Sequence, residues 1–192
     1  APHIYLTLYG WSLTVFNPPQ LSTLTPAPEA PSGDTPHHVC VHVSDDGLAV
    51  SYRVSGRPPD ESVATVVHGP TDSLLIPAQI NLDPDSGALF VGCLTLDRPK
   101  TDRSIKGLCS ILGQSYDVLR GSECAAHLDL SASASGGVEL SLGPHRLSPI
   151  QWMSLLLEQA RRIVEAQTGY GARRAVLTHP DSLGILGRRA LA

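Results

Sequence analysis

The sequence is poor in positive charge, and lysine is almost absent from it. Its 192 residues include 14 lysines and arginines against 18 aspartates and glutamates, which gives a net charge of −4. Lys100 and Lys106 are its lysines, so arginine supplies the remaining positive charge. Proteins that bind nucleic acids gather cations on one face to contact phosphates. This composition therefore argues against nucleic acid as the main partner.

Cysteine is scarce as well, and its spacing lacks the close pairs that metal sites and redox motifs use. We interpret the cysteines as free thiols, two of them inside apolar strand patterns, and expect no zinc site. His38, Cys40 and His42 alternate along one predicted strand, but no carboxylate or second cysteine stands near, so we predict no metal site there and no cofactor. The four cysteines are Cys40, Cys93, Cys109 and Cys124.

Long apolar runs are also missing. No stretch reaches the roughly 18 apolar residues that a membrane helix needs, and Ala1 does not open a charged and then apolar leader of the secretory type. We therefore expect an intracellular, reducing setting and no membrane partner. The length predicts one domain over residues 1–192, with a proline-rich loop at 17–36.

Alternating apolar runs separated by turn residues predict about seven or eight strands. The clearest hairpin has Ser44-Asp45-Asp46-Gly47 between two such runs, since Asp-Gly favours the tight turns of hairpins. Similar hairpins are predicted around residues 83–87 and around the sequence SASASGG. The predicted strands are one or two within 3–16, then 39–43, 48–54, 63–67, 74–80, 88–96, 128–130 and 138–142.

Helical spacing of apolar residues predicts a helix over 102–119, although Gly107 and Gly113 each weaken it by about 1 kcal/mol relative to alanine. A second predicted helix begins near Pro180. Strands first and helices last, with no βαβ alternation, predict an α+β fold: a β-barrel or sandwich of mostly antiparallel strands flanked by about three helices. Residues 148–192 form its helical C-terminal part.

The strongest helix prediction covers residues 148–167. Ser148 is a suitable N-cap, Pro149 suits the first helical position and Gln151 completes a capping box. Gly169 is placed to end the helix. Its apolar stripe, from Trp152 to Val164, either covers the sheet or forms a dimer face.

A histidine and a serine each stand at the end of a predicted strand. A serine hydroxyl is a weak nucleophile at neutral pH and needs a base, which in turn needs a third group to orient it. We consider His68 as the base, because imidazole titrates near pH ~6.5, and Ser131 as the nucleophile. Ser133 replaces Ser131 if the strand register shifts. The structural alternatives are a surface histidine and a serine in a flexible loop.

The third catalytic residue has two candidates. His145 lies just before the helix at residue 148 and could fold back towards a strand end. His127 lies on the strand of Ser131 but about 13 Å along it, which is too far for direct contact. The oxyanion could be stabilised by Arg146 or by backbone N–H groups of residues 135–137.

Four features follow one another in the order found in the herpesvirus assemblin family, the capsid maturation serine proteases, which the stretch 58–95 resembles. They are an apolar strand ending at His68, an aspartate-rich turn ending at Gly87, an apolar strand of the pattern Leu89-Phe90-Val91-Gly92, and later the L-x-L-S pattern that ends at Ser131. The family's third motif, a histidine strand leading to two arginines, has no counterpart here.

This resemblance implies a serine endopeptidase that cuts scaffold or precursor proteins after a small residue such as alanine. It also implies a homodimer formed through a C-terminal helix. The implied location is inside host cells, including the nucleus. The missing motif favours the alternative, a non-catalytic barrel-type capsid, scaffold or partner-binding protein. As a minor alternative, residues 82–89 resemble the aspartate-bearing hairpin of dUTPases, a nucleotide-binding fold in which the aspartate activates a water.

Overall fold

The computed structural model describes residues 6–9, 38–53, 65–66, 73–92, 104–134, 136–169, 171–172, 174–180 and 182–191. Within these residues, twelve strands form three sheets alongside four helices and one 3-10 turn, so the α+β class is confirmed. The strands and helices are more numerous than predicted, and no sheet closes into a barrel within this part of the chain. The single domain over 1–192 stays a prediction, and its loop at 17–36 lies outside the described residues.

The elements follow one another along the chain with short strands at first and the long helix late. The strands are β1 (Leu6–Tyr9), β2 (His38–Val43), β3 (Gly47–Arg53), β4 (Thr65–Val66), β5 (Ile76–Pro77), β6 (Ile80–Leu82), β7 (Leu89–Val91), β8 (Ser104–Ile105), β9 (Asp129–Ala132), β10 (Val138–Leu142), β11 (His145–Leu147) and β12 (Arg174–Thr178). The helices are α1 (Leu108–Ile111), α2 (Tyr116–Leu119), α3 (Pro149–Thr168) and α4 (Ile185–Leu191), with the 3-10 turn at Glu123–Ala125.

The largest sheet has the strand order β1-β12-β2-β3-β4, with β5 also paired to β3. The predicted hairpin is confirmed in it, because β2 and β3 pair antiparallel with Val43 opposite Leu48, and Ser44 N donates to Gly47 O at 3.1 Å. The strand β12 was not predicted. It lies between β1 and β2 and runs parallel to β2.

The second sheet, in the order β7-β6-β8, contains the predicted aspartate-rich turn. Asp83 N donates to Ala88 O, and Gly87 N donates to Asp83 O, both at 2.8 Å. The strand predicted over 74–80 is interrupted, since Leu74 and Leu75 are exposed and pairing occurs at Ile76–Pro77 and again from Ile80.

The third sheet, in the order β11-β10-β9, carries the candidate serine. The predicted hairpin around SASASGG is confirmed by the antiparallel pairing of β9 with β10. The strand β11 was not predicted; it follows a second tight turn at Gly143, whose φ is 61°, and pairs antiparallel with β10.

The helix predicted over 102–119 is wrong. The segment contains a short strand, β8, and two one-turn helices, α1 and α2. Gly107 and Gly113 separate them with φ of 68° and 74°, a left-handed conformation that glycine adopts without steric cost. The two residues that weakened the prediction are therefore the ones that break the helix.

The helix predicted over 148–167 is confirmed as α3, including its ends. Ser148 and Gln151 form the capping box, and Gly169 ends the helix with φ of 73°. Trp152, Leu156 and Ala160 are completely buried, and Trp152 Nε1 donates to Leu140 O at 3.2 Å. The apolar stripe of α3 thus packs into the core that all three sheets share. Among the described helices, none is long and apolar enough to cross a membrane.

Candidate functional site

The candidate serine lies on the outward face of the β9–β11 sheet. Val138, Leu140 and Leu142 of β10 point into the core, so the alternate residues Glu139 and Ser141 face away from it. Ser131 lies opposite Glu139, and Arg146 lies opposite Ser141. Residues opposite each other in adjacent strands share a face. The register therefore places the nucleophile candidate and the oxyanion candidate on one face.

The hydroxyl of Ser131 has no base beside it in the described part of the chain. The residue is half-buried, and its Oγ is shielded from solvent and has no hydrogen-bond partner among the described residues. Activation of serine requires a base within hydrogen-bond distance. His68, the predicted base, lies outside the described residues, so that pairing stays a prediction.

Arg146 is held by a carboxylate on the same face. Its Nε lies 2.5 Å from Glu139 Oε2, with side chains 52% and 31% exposed. Exposed pairs of this kind contribute about 0–1 kcal/mol, so the pair could open. While it is closed, the guanidinium is directed at Glu139 and not at an oxyanion near Ser131.

His145 lies on the opposite face from Ser131. Its strand partner is Leu142, which points into the core, and its Nε2 lies 3.1 Å from Gly87 O. Because a carbonyl oxygen can only accept, Nε2 carries the proton in this contact. His145 links the β10–β11 turn to the β6–β7 turn, and the structure does not bring it to Ser131.

The other polar candidates are occupied by local structure or are exposed. Ser133 Oγ accepts from Gly137 N at 2.9 Å and so closes the β9–β10 turn. His127 is exposed just before β9. In the hairpin that resembles that of dUTPases, Asp83 Oδ2 accepts from Ser86 Oγ at 2.5 Å. That carboxylate stabilises its own turn, which does not favour activation of a water. The loop residue 135 lies outside the described part.

Two clefts flank β9. One, of about 510 Å³, lies between α2, the 3-10 turn and the first residues of β9. The other, of about 390 Å³, lies between the β9–β10 turn, the first turn of α3, the loop after α1 and Ala190 of α4. Ile150 lines the second cleft and is 42% exposed. Both clefts open beside the candidate serine strand.

Two of the described cysteines, Cys40 and Cys109, are poor nucleophiles. Burial raises the pKa of Cys40, and burial together with the negative charge of Asp45 raises the pKa of Cys109 to about 12. Reactivity requires the thiolate, so the raised pKa values lower the reactivity of both thiols at neutral pH. Cys93 lies outside the described residues. Within the described residues, no group of three histidine, cysteine or acidic side chains is arranged to hold a metal ion.

A buried charge network on α3 was not predicted from the sequence. Arg161 donates to both carboxylate oxygens of Glu158 at 2.8 and 2.6 Å and to Glu165 at 2.7 Å. Arg162 donates to Glu158 at 2.9 Å, and Glu165 also accepts from Ala172 N at 2.9 Å. The i,i+3 and i,i+4 spacing was the available signal. The network fixes the end of α3 to the segment that leads into β12.

Burial alone would raise the pKa of the Glu158 carboxyl, but hydrogen bonds from Arg161 and Arg162 and their positive charges outweigh it and lower that pKa. The pKa of Arg161 is raised by its hydrogen bond to Glu158, against the effect of its own burial. These ionised groups satisfy one another, so the network is structural and not a candidate acid or base.

Comparisons with known proteins assign no family. No protein-family model matches the chain, and no curated protein matches it significantly. The resemblance to assemblins thus depends on the order of short motifs alone.

Proposed function

We propose that the chain is a non-catalytic partner-binding protein of the capsid or scaffold type, and that it associates with its partner through α4. The observation that carries this proposal is the exposure of two adjacent large apolar side chains on that helix. Ile185 is 68% exposed and Leu186 is 56% exposed. The binding function is further favoured by the sequence, which lacks the family's third motif, and by His145, which lies on the opposite face of its sheet from Ser131.

The opposite side of α4 is anchored in the protein. Gly187 and Leu191 are buried, as is Leu183 just before the helix. A Cβ on Gly113 would lie 2.3 Å from the Leu186 carbonyl carbon, so helix and loop pack backbone to backbone. The anchored side holds α4 in place, and Ile185 and Leu186 are left available to a partner. Burial of these two side chains against a partner would stabilise the complex by about 25 cal/mol for each Å² of apolar surface removed from water.

This arrangement reduces the two predicted dimer faces, on α3 and on the C-terminal helix, to one. The stripe of α3 from Trp152 to Val164 is buried inside the chain, so it could join a partner only if the core opened. The predicted homodimer through a C-terminal helix is therefore assigned to α4 in this proposal.

The proposal is tested by measuring self-association with sedimentation velocity over a range of protein concentrations. We expect the wild type to associate and Leu186→Ser to shift it towards the monomer. Leu74→Ser is the matched control, because Leu74 is exposed to 58% but lies before β5. If both variants associate like the wild type, α4 is not the contact surface.

A second candidate, the assemblin-type serine endopeptidase, is favoured by one observation. Ser131 shares a face with Arg146, and its Oγ makes no hydrogen bond within the described structure that would compete with a catalytic base. In this candidate His68 is the base, the sheets close into a barrel, and the substrate is a scaffold or precursor protein cut after a small residue.

A fluorophosphonate probe separates the two candidates, because it labels only an activated serine. Labelling of the wild type that is lost in Ser131→Ala and kept in Ser141→Ala would establish the protease and overturn the non-catalytic proposal. Ser141 is the control, since it faces the same way on the neighbouring strand. We expect no labelling of any of the three proteins.

A further inference from the structure

We propose that the cleft of about 390 Å³ between the β9–β10 turn and the first turn of α3, which we call the α3 cleft, binds a peptide segment of another protein. The segment would place a large apolar side chain in the cleft and a carboxylate beside it. This site goes beyond the proposed function, since it is lined by Ala190 of α4 and not by Ile185 or Leu186. Its volume lies within the range of about 300–1,000 Å³ that is typical of ligand pockets.

Apolar side chains from four separate elements meet at the α3 cleft. They are Leu112 of the loop after α1, Val138 of β10, Ile150 of α3 and Ala190 of α4. Leu112 and Val138 are 2% and 5% exposed, whereas Ile150 is 42% exposed. The cleft therefore joins the buried core to an isoleucine that solvent reaches. An apolar side chain that enters it removes this surface from water, which is the main favourable contribution in most protein association.

The charges around the cleft favour a negative group on the partner. Among the described residues that line it, Glu139 is the one ionisable side chain, and Arg146 pairs with it at 2.5 Å. Arg189 precedes Ala190 on α4, is exposed and forms no ion pair within the described part of the chain. A carboxylate beside Arg189 would therefore meet a positive charge that no described side chain balances.

The first turn of α3 adds a hydrogen-bond donor to the same place. Gln151 N donates to Ser148 Oγ at 3.3 Å, and Trp152 N donates to Ser148 O at 3.1 Å. Pro149 has no N–H, and the N–H of Ile150 makes no hydrogen bond within the described structure. The positive end of the helix dipole favours a negatively charged acceptor for it. Ile150 thus offers both an apolar side chain and a free donor, as an apolar residue next to an aspartate or glutamate requires.

The polar residues of the cleft favour a peptide over a lipid carboxylate. Gln114, Ser133 and Gln151 line it together with the apolar side chains. An acyl chain laid over these groups would separate them from water without replacing its hydrogen bonds, which costs free energy. Peptide N–H and C=O groups can replace those bonds, so a peptide satisfies the polar and the apolar parts of the cleft together.

Fluorescence anisotropy with two labelled peptides tests the site. Both are short glycine-serine peptides with leucine and phenylalanine at the centre, flanked by aspartates in one and by lysines in the other. We expect the wild type to bind the aspartate peptide about tenfold more tightly than the lysine peptide.

Two variants and one control locate the contact. Ile150→Ser should weaken binding of the aspartate peptide about tenfold, since it removes the exposed apolar side chain of the cleft. Leu74→Ser is the matched control, because Leu74 is exposed to 58% and does not line the cleft, and it should bind like the wild type. Arg189→Glu should reverse the preference towards the lysine peptide, which a variant that had merely lost its fold could not do.

Equal affinity for the two peptides, unchanged binding by Ile150→Ser, or no binding at millimolar peptide would each refute the site. Displacement of the peptide by octanoate would assign the cleft to a lipid carboxylate instead, and loss of self-association in Ile150→Ser would assign it to a second copy. Leu186→Ser should bind the aspartate peptide like the wild type. If the chain does not self-associate but this peptide binding is observed, the association through α4 is refuted and the α3 cleft stands.

Discussion

Removal of the Arg161 charge should destabilise the protein more than removal of the neighbouring Arg162 charge. Arg161→Met keeps most of the aliphatic stem but removes three hydrogen bonds, of 2.6 to 2.8 Å, to Glu158 and Glu165. The side chains of both acids are no more than 10% exposed, so their charges would be left without full solvation. Breaking a buried pair by removing one partner costs about 3–5 kcal/mol.

We expect the lower end of that range, about 3 kcal/mol, because Arg162 still contacts Glu158 at 2.9 Å. In urea unfolding, this loss of stability should lower the midpoint by about 1.5 M, since the unfolding free energy typically falls by about 2 kcal/mol per molar urea. Arg162→Met is the matched control and loses one hydrogen bond, so a cost of about 1 kcal/mol is expected. A loss below about 1 kcal/mol for Arg161→Met, or an equal loss in the two variants, would refute the reasoning.

Two further predictions concern the ionisation of Glu158 and the loop at Gly113. The pKa of Glu158 is lower in the folded state than its unfolded value of about 4.3, so its stabilising effect is present above that pH and is lost as the pH falls through the folded pKa. Unfolding free energies measured between pH 7 and pH 3 should therefore fall more steeply for the wild type than for Glu158→Gln, and parallel curves would contradict this. Gly113→Ala should cost more than Gly136→Ala by differential scanning calorimetry. Both glycines have positive φ, at 74° and 81°, but only a Cβ at 113 meets backbone, 2.3 Å away, whereas one at 136 meets nothing within 4 Å. The shared left-handed strain is about 1 kcal/mol, and equal losses would show that α4 does not pack tightly on this loop.

The parts of the fold that local sequence determines were predicted well. The β2–β3 turn and the α3 capping box each depend on residues within four positions of one another, and both were confirmed. The failures have physical causes as well. The pattern over 102–119 has helical spacing, but two glycines with positive φ interrupt it. β12 is a short segment after a helix. It becomes a strand because it pairs with β1 and β2, which are distant in the sequence.

The candidate site shows the same division between local and distant information. The sequence placed Ser131 on a strand, which the structure confirms. The face on which His145 lies depends on the register between β10 and β11, and a shift of one residue would reverse it. The sequence around His145 resembled a loop, so nothing local indicated that it would lie across the sheet from the serine.

The position of β12 has a consequence for how the protein is made. His42 and Thr178, which pair across β2 and β12, are 136 residues apart in the chain, and the first strand of the largest sheet pairs with β12 in the described structure. The ribosome must therefore release the chain as far as β12 before this sheet can be completed, and contacts between such distant segments slow folding. Until then the inner edge of β2 is an open template for other strands, so the nascent protein passes through a stage in which chaperones or a neighbouring copy can capture it.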